Sequence, residues 1–264
     1  MSPQAAPVRP TRPRRAATRT SLVGLTPLLL LLLVWQLAGN AESVLYPRPS
    51  RWWDGFTALL ATGQFGPSLR ATVTTFLLAM LAATLLGALL GALVGSFALL
   101  DRATAPAFTF LMSIPPAAIV PVAVLVVGIG LTLQIGAVIF AAIWPILLNT
   151  AAAMRAVPTA RLDSARMLGL PRSARVARVV LPSLVPGIAV GVLVAAPVGI
   201  VVTLLVEMLT TVPGLGSMLL ASQRSFQSTE VFAMLVVIGL LGYSLNVLVR
   251  LLQSRLLRNW PTGY

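Results

Sequence analysis

Six carboxylates and nineteen basic side chains make up the charged chemistry of this 264-residue chain, and every basic one is an arginine. The sequence holds no cysteine, no histidine and no lysine. That excludes a thiol nucleophile, an imidazole base, a Cys/His zinc site, a Schiff-base lysine and a G-x-x-x-x-G-K-[ST] phosphate loop. Glu42, Asp54, Asp101, Asp163, Glu207 and Glu230 are scattered over separate segments, so no pair is spaced for acid–base work. We therefore expect no catalytic residue and no metal site, and any ATP consumption must occur on another chain. What remains is one polar island late in an oily sequence: Arg161-Leu162-Asp163-Ser164-Ala165-Arg166-Met167-Leu168-Gly169, running on to Leu181-Pro182.

The island has helical logic. Pro158 suits a helix start, where a missing N–H costs nothing. Leu162, Ala165 and Leu168 recur at helical spacing as a narrow apolar face, Gly169 offers a left-handed cap, and Pro171 blocks continuation. A second short helix is expected next, with Arg172, Arg175 and Arg178 along one side and Val176, Val179 and Val180 on the other, before Leu181-Pro182 opens an apolar run. Arginines holding the headgroup boundary account for the charge but not for the helix–Gly–helix break.

The elements that position this island are membrane spans. Apolar residues form 58% of the chain and charged residues 9%, against about 25% charged in soluble domains. About 20 mostly apolar residues are needed to cross the hydrocarbon, and suitable runs lie near 22–39, 70–98, 106–128, 132–153, 183–206 and 231–252. The fold class expected is an all-α membrane protein of six transmembrane helices occupying 21–258. Arginines concentrate in the 1–20 tail, the turn at Asp101-Arg102, the 155–182 loop and the C-terminal end. The positive-inside rule then makes those segments and both termini cytoplasmic. The same rule argues against nucleic acid as partner, since the arginines flank spans instead of forming one basic face.

Residues 1–20 are expected to be a disordered basic tail, and 259–264 a short C-terminal tail. Gly39-Asn40-Ala41 is an alternative cleavage site that would start the mature chain near Glu42. Between the first two spans, Ser50 is placed to cap a short outer interfacial helix with Trp52, Phe56, Leu59 and Leu60 on one face.

Within the spans, Gly87, Gly91 and Gly95 form a stripe for close helix packing, against a neighbouring helix or a second copy. Ser113, Pro115, Pro116 and Pro121, with Gly128 and Gly130, mark broken backbone that is either a structural kink or a pathway lining. Asn149 and Glu207 join them as candidate pathway residues, although Glu207 falls where a boundary carboxylate would orient the outer loop.

The spacing Asp163-Ser164-Ala165, Gly169, then Val179-x-Leu181-Pro182 resembles the EAA loop of ATP-binding-cassette importer permeases, with Asp for the usual Glu and Ser for the first Ala. Ser113 to Pro121, Gly128-Ile129-Gly130, Pro145 to Thr150, and Glu207 with Gly214-Leu215-Gly216 are similar to the nitrate/sulfonate/taurine branch, over roughly 45–258. The resemblance implies a type I importer permease in a bacterial inner membrane, without cofactor of its own, ATP and Mg being held by the partner. It implies two ATPase subunits, an extracytoplasmic binding protein and a second permease copy as partners. The ATPase contact would be the coupling helix, with Asp163, Ser164, Ala165, Leu168, Gly169, Leu181 and Pro182 at the joint. A secondary transporter or a non-transporting assembly protein would share the spans. The former calls for mid-membrane ionisable groups or internal repeats, which are not evident, and the latter leaves the proline-broken span unexplained.

Overall fold

The computed structural model describes residues 20–39, 43 and 45–258, all helical or turn in character. The arginine-rich tail, most of the possible cleavage site and the 259–264 segment lie outside the described residues. The helices are α1 (Thr20–Ala38), α2 (Trp52–Ala61), α3 (Phe65–Ser96), α4 (Ala98–Met112), α5 (Pro116–Val127), α6 (Leu131–Arg155), α7 (Thr159–Met167), α8 (Arg172–Arg175), α9 (Leu181–Thr210), α10 (Leu215–Arg224) and α11 (Ser228–Leu257), with a π-helical turn at Val176–Val180 between α8 and α9.

The centre of the bundle is α6 held between α3 and α9. Small residues make this possible, because apolar side chains gain little by leaving lipid for protein and backbones must approach closely instead. The stripe Gly87, Gly91 and Gly95 faces α6. A methyl on Gly95 would sit 2.6 Å from the Ala151 carbonyl oxygen, and one on Gly91 2.8 Å from Thr150 Cβ. From the other side Gly191 of α9 would meet Ile146 Cα at 2.7 Å. Phe76, Met80, Ala83, Ala142, Ile146, Ala195 and Ala196 fill the space between these backbones. Outward-facing Leu89, Val201 and Tyr243 are 60–71% exposed, the reverse of a water-soluble protein and the pattern of lipid- or partner-facing helices.

Four helices are long and apolar enough to span a membrane: Phe65–Ser96, Leu131–Arg155, Arg172–Thr210 and Ser228–Leu257. A fifth span is reached if α4 and α5, which meet at 92°, count as one. α1 has 19 residues, a rise of about 28 Å, at the short end for a crossing. The expected 106–128 span is thus a sharply bent pair. Pro115 and Pro116 cause the bend: Pro115 takes an extended backbone (φ −62°, ψ 130°) and Pro116 opens α5. The expected turn at Asp101-Arg102 is also displaced. The chain turns at Phe97 (φ −129°, ψ 109°), and Asp101 stands in the first turn of α4, where a carboxylate complements the helix dipole.

The Trp52 helix forms, but Ser50 does not cap it. Instead Ser50 exchanges hydrogen bonds with the Gln36 side chain, its N–H donating to Oε1 and its hydroxyl accepting from Nε2, each at 3.1 Å. Leu59 is buried while Leu60 is 48% exposed, so the packed face is Trp52, Gly55, Phe56 and Leu59, laid on α11. Trp52 stacks on Phe232 at 5.5 Å, and Trp35 of α1 meets both rings edge-on.

Candidate functional site

Two constructions stand out, at opposite ends of the bundle. The first is the polar island. α7 is closed by a Schellman motif: Gly169 N–H donates to Arg166 O at 2.9 Å and Leu170 N–H to Ala165 O at 3.1 Å. This motif places one residue in the left-handed region, and Gly169 takes it with φ +69°. Ala165 is buried beneath α7, whereas Met167 and Leu168 are 89% and 78% exposed. Leu168 therefore leaves the apolar face expected from its spacing, because the helix ends one residue earlier and Leu168 belongs to the cap. Asp163 pairs with Arg166 at 2.8 Å on the exposed side, a contact worth under about 1 kcal/mol. Ser164 is exposed and its hydroxyl donates to Ala160 O.

A groove of about 450 Å³ runs between α7 and the start of α9, lined by Arg161, Ser164, Leu168, Arg178, Val179 and Pro182. Its far wall departs from expectation. The second short helix is not separate: Arg172 to Thr210 is one continuous 39-residue helix. Pro182 has no N–H, and its ring crowds the carbonyl a turn back. The backbone answers with the π turn, where Leu181 N–H donates to Val176 O and the Ser183 hydroxyl donates to Val179 O at 2.7 Å. Leu181 and Pro182 thus lie within the helix, not at the start of a new one. At this same end Arg155 bonds Asp101 at 2.9 Å, tying the end of α6 to α4.

Because no atom lies within 4 Å of a Cβ built on Gly169, its requirement is purely conformational. Gly169→Val is expected to cost about 1–2 kcal/mol from left-handed backbone strain, without a packing clash. Faster protease cleavage of the 167–172 segment, relative to the native chain, is the measurement that checks this.

The second construction surrounds Glu207, the single acidic residue of α9, which is fully buried. Its Oε1 accepts from the Thr72 hydroxyl of α3 at 2.9 Å, and its Oε2 accepts from the Gly216 N–H at 2.8 Å. The Thr72 oxygen in turn accepts from the Leu215 N–H at 2.9 Å. Leu215 and Gly216 are the first two residues of α10. A Cβ on Gly214 would fall on the Glu207 carboxylate, and one on Gly216 would meet the Leu204 carbonyl and the Glu207 Cβ. Thr72 escaped sequence reasoning; the available signal was a pair of threonines one helical turn apart, Thr72 and Thr75, the latter's hydroxyl reaching Gln134 at 3.5 Å.

The other expected pathway residues are distributed. Ser113, Pro115 and Pro116 gather at the α4–α5 bend, with the Ser113 hydroxyl donating to Thr109 O. Pro121 lies on the exposed side of α5. Asn149 is half-buried in α6, where its amide donates back to Pro145 O at 2.7 Å.

Residues 83–259 match the profile of a family described as binding-protein-dependent transport system inner membrane component. A riboflavin transport system permease protein, RibX, of Chloroflexus aurantiacus is 33% identical over 244 residues, covering 89% of each chain. The nitrate import permease protein NrtB of Leptolyngbya laminosa is 30% identical, over 73% of this chain and 67% of its own length. The putative aliphatic sulfonates transport permease SsuC of Bacillus subtilis is 24% identical over 89% of this chain and 86% of its own. Among solved structures, the MetNI methionine ABC transporter, titled as inward facing, superposes with a TM-score of 0.63 at 18% identity, covering 74% of this chain and 97% of that one. The fold is therefore shared with a chain of that ABC transporter.

Proposed function

This chain belongs to the family of binding-protein-dependent transport system inner membrane components, and on that footing we propose that it pairs with a second copy of itself and that the α7 knuckle of each copy docks on one of two cytoplasmic ATPases. It is a permease subunit of an ABC transporter, a multi-pass membrane protein that carries no catalysis itself. In the fuller reading α1, the bent α4–α5 pair and the four long helices make six spans, with both termini and the 155–182 loop in the cytoplasm. ATP and Mg stay on the ATPases. A binding protein delivers a small solute such as a sulfonate, taurine or nitrate from outside, and selectivity rests with it, since Arg70 and Arg250 stand only at the ends of the apolar runs and no arginine lies mid-span to hold an anion.

The observation that carries the coupling is the contrast inside one short helix. Ala165 anchors α7 while Met167 and Leu168 stand free beside a groove with cationic walls. Two exposed large apolar side chains on an arginine-rich loop gain little from water, and they suit an apolar pocket on a partner. Closure of the ATPases around ATP would then push the knuckle, and the push is only as strong as the difference in contacts between states.

The cysteine-free sequence allows a clean test. With Leu168→Cys carrying a short photo-crosslinker, the ATPase subunit is expected to crosslink, and the yield to change when ATP is trapped. Ser225→Cys, exposed at the other end of the chain's helical bundle beyond α10, should give none. Equal yields at both positions, or none at Leu168, would sink the reading.

A further inference from the structure

We propose that Glu207 and Thr72 together are the positioning residues that make α10 follow α3 and α9, so that motion at the α7 knuckle reaches the opposite end of the bundle. This rests on the importer reading of the knuckle.

Geometry is the warrant. The first N–H groups of a helix have no partner inside it and need outside acceptors. α10, ten residues long, finds two of them on other helices: Leu215 donates to Thr72 on α3 and Gly216 to Glu207 on α9. A buried carboxylate at a helix N-terminus also meets the positive end of the dipole. Glu207 is therefore a cap supplied in trans, and Thr72 is the bridge that makes it a three-helix joint. The backbone of Glu207 takes part as well, its carbonyl accepting from Thr211 N–H at 3.1 Å, where α9 ends at φ +55°.

The joint sits at the far end of the continuous helix that begins at Arg172, beside the groove wall. Thirty-nine residues rise about 58 Å, enough to run from one face of a bilayer to the other. A helix of that length transmits displacement only if its far end is fixed to something, and Glu207 is where it is fixed. Beyond the joint, α10 forms a wall of a polar cavity of about 420 Å³, lined among others by Thr62, Gln64, Ser217, Ser222 and Glu230. Moving α10 with α9 would change the shape of that cavity.

The chemistry distinguishes a cap from a space-filler. Donors converge on both carboxylate oxygens: the Thr72 hydroxyl lies 2.9 Å from Oε1 and 3.1 Å from Oε2, and Gly216 N–H donates to Oε2. Leucine fills similar space but offers no acceptor. A packing role tolerates Glu207→Leu; a capping role does not. Likewise Thr72→Ser keeps the hydroxyl, while the near-isosteric Thr72→Val removes it.

The test is hydrogen exchange on the full complex with its ATPase subunits, with and without ATP trapped by vanadate. In the native protein, trapping is expected to alter exchange at both α7 and α10. Glu207→Leu and Thr72→Val should speed exchange of the 215–216 amides by about tenfold, the loss of a buried hydrogen bond. They should also abolish the nucleotide response at α10 and leave that at α7 intact. Thr72→Ser should behave as native. Should Glu207→Leu fail to accumulate, Thr72→Val carries the same test with the carboxylate in place. Native exchange at 215–216 in both variants overturns the cap, and a surviving α10 response after the cap is lost overturns its role in transmission. An α10 silent in the native complex while α7 responds overturns the proposal and spares the importer reading. If α7 itself is silent, the importer reading fails and the proposal falls with it.

Discussion

Gly91→Leu is expected to prevent the central bundle from assembling, and Gly91→Ala to weaken it measurably. Gly91 lies where α3 and α6 touch backbone to backbone: a single methyl there would come within 2.8 Å of Thr150 Cβ and 3.2 Å of the Ala151 nitrogen, besides the Leu147 carbonyl. None of these atoms can swing away, because two are main chain and Thr150 is itself fully buried, its hydroxyl committed to Ile146 O. Room can be made only by moving α6 as a whole, which would also pull it from α9. Overpacking of this kind costs about 1–3 kcal/mol for a methyl, or a fall of roughly 2–12 °C in melting temperature for a chain of this size. Leucine adds three more carbons and exceeds what the helix pair can absorb. Gly136→Ala, in the facing helix α6 but with no atom within 4 Å of its built Cβ, is the control. It should leave the melt unchanged or raise it slightly, since alanine favours the helix over glycine. Thermal melts of the two alanine variants in one detergent decide it, and equal losses at 91 and 136 would refute the packing account.

Leu168→Asp is expected to have the opposite profile: a native melt and no coupled ATPase. The side chain is 78% exposed and anchors nothing within the subunit, so the change in stability should stay within about 0.5 kcal/mol. If Leu168 is seated in a partner's pocket, a charge there costs at least about 2 kcal/mol of affinity, near 30-fold. The permease would then purify without its ATPase, and stimulation by the binding protein would vanish. Ala165 is the poorer site for such a probe. It is buried, so a charge there would unseat α7 and confuse docking with folding. An unchanged ATPase content in Leu168→Asp would refute the coupling role.

The helical membrane class was legible from composition, and both long glycine positions and proline breaks from spacing, because these follow from local chemistry. Lipid dictates apolar runs, proline forbids a hydrogen bond, and glycine alone suits φ +69° at residue 169. Other features were not legible. Whether Arg172 to Val180 forms its own helix depends on how the backbone absorbs Pro182, and the π turn with Ser183 resolves that in favour of continuity. Ser50 has the right type for a cap, but Gln36, 14 residues earlier, takes it.

Glu207 shows the division clearly. Sequence alone established that a single carboxylate ends a long apolar run and that two glycines follow shortly after, which marks an outer loop to be held. Sequence alone likewise removed ATP chemistry from the chain by omitting lysine, histidine and cysteine, and isolated the island now seen as a knuckle. Only the tertiary structure decided what the carboxylate holds, because its partners lie 135 residues back on α3 and 9 residues ahead on α10. Periodicity reports which face of one helix is apolar; it carries no information on which other helix supplies a donor. Contacts between helices arise from packing backbone against backbone, and here glycines at 87, 91, 95, 214 and 216 set the distances.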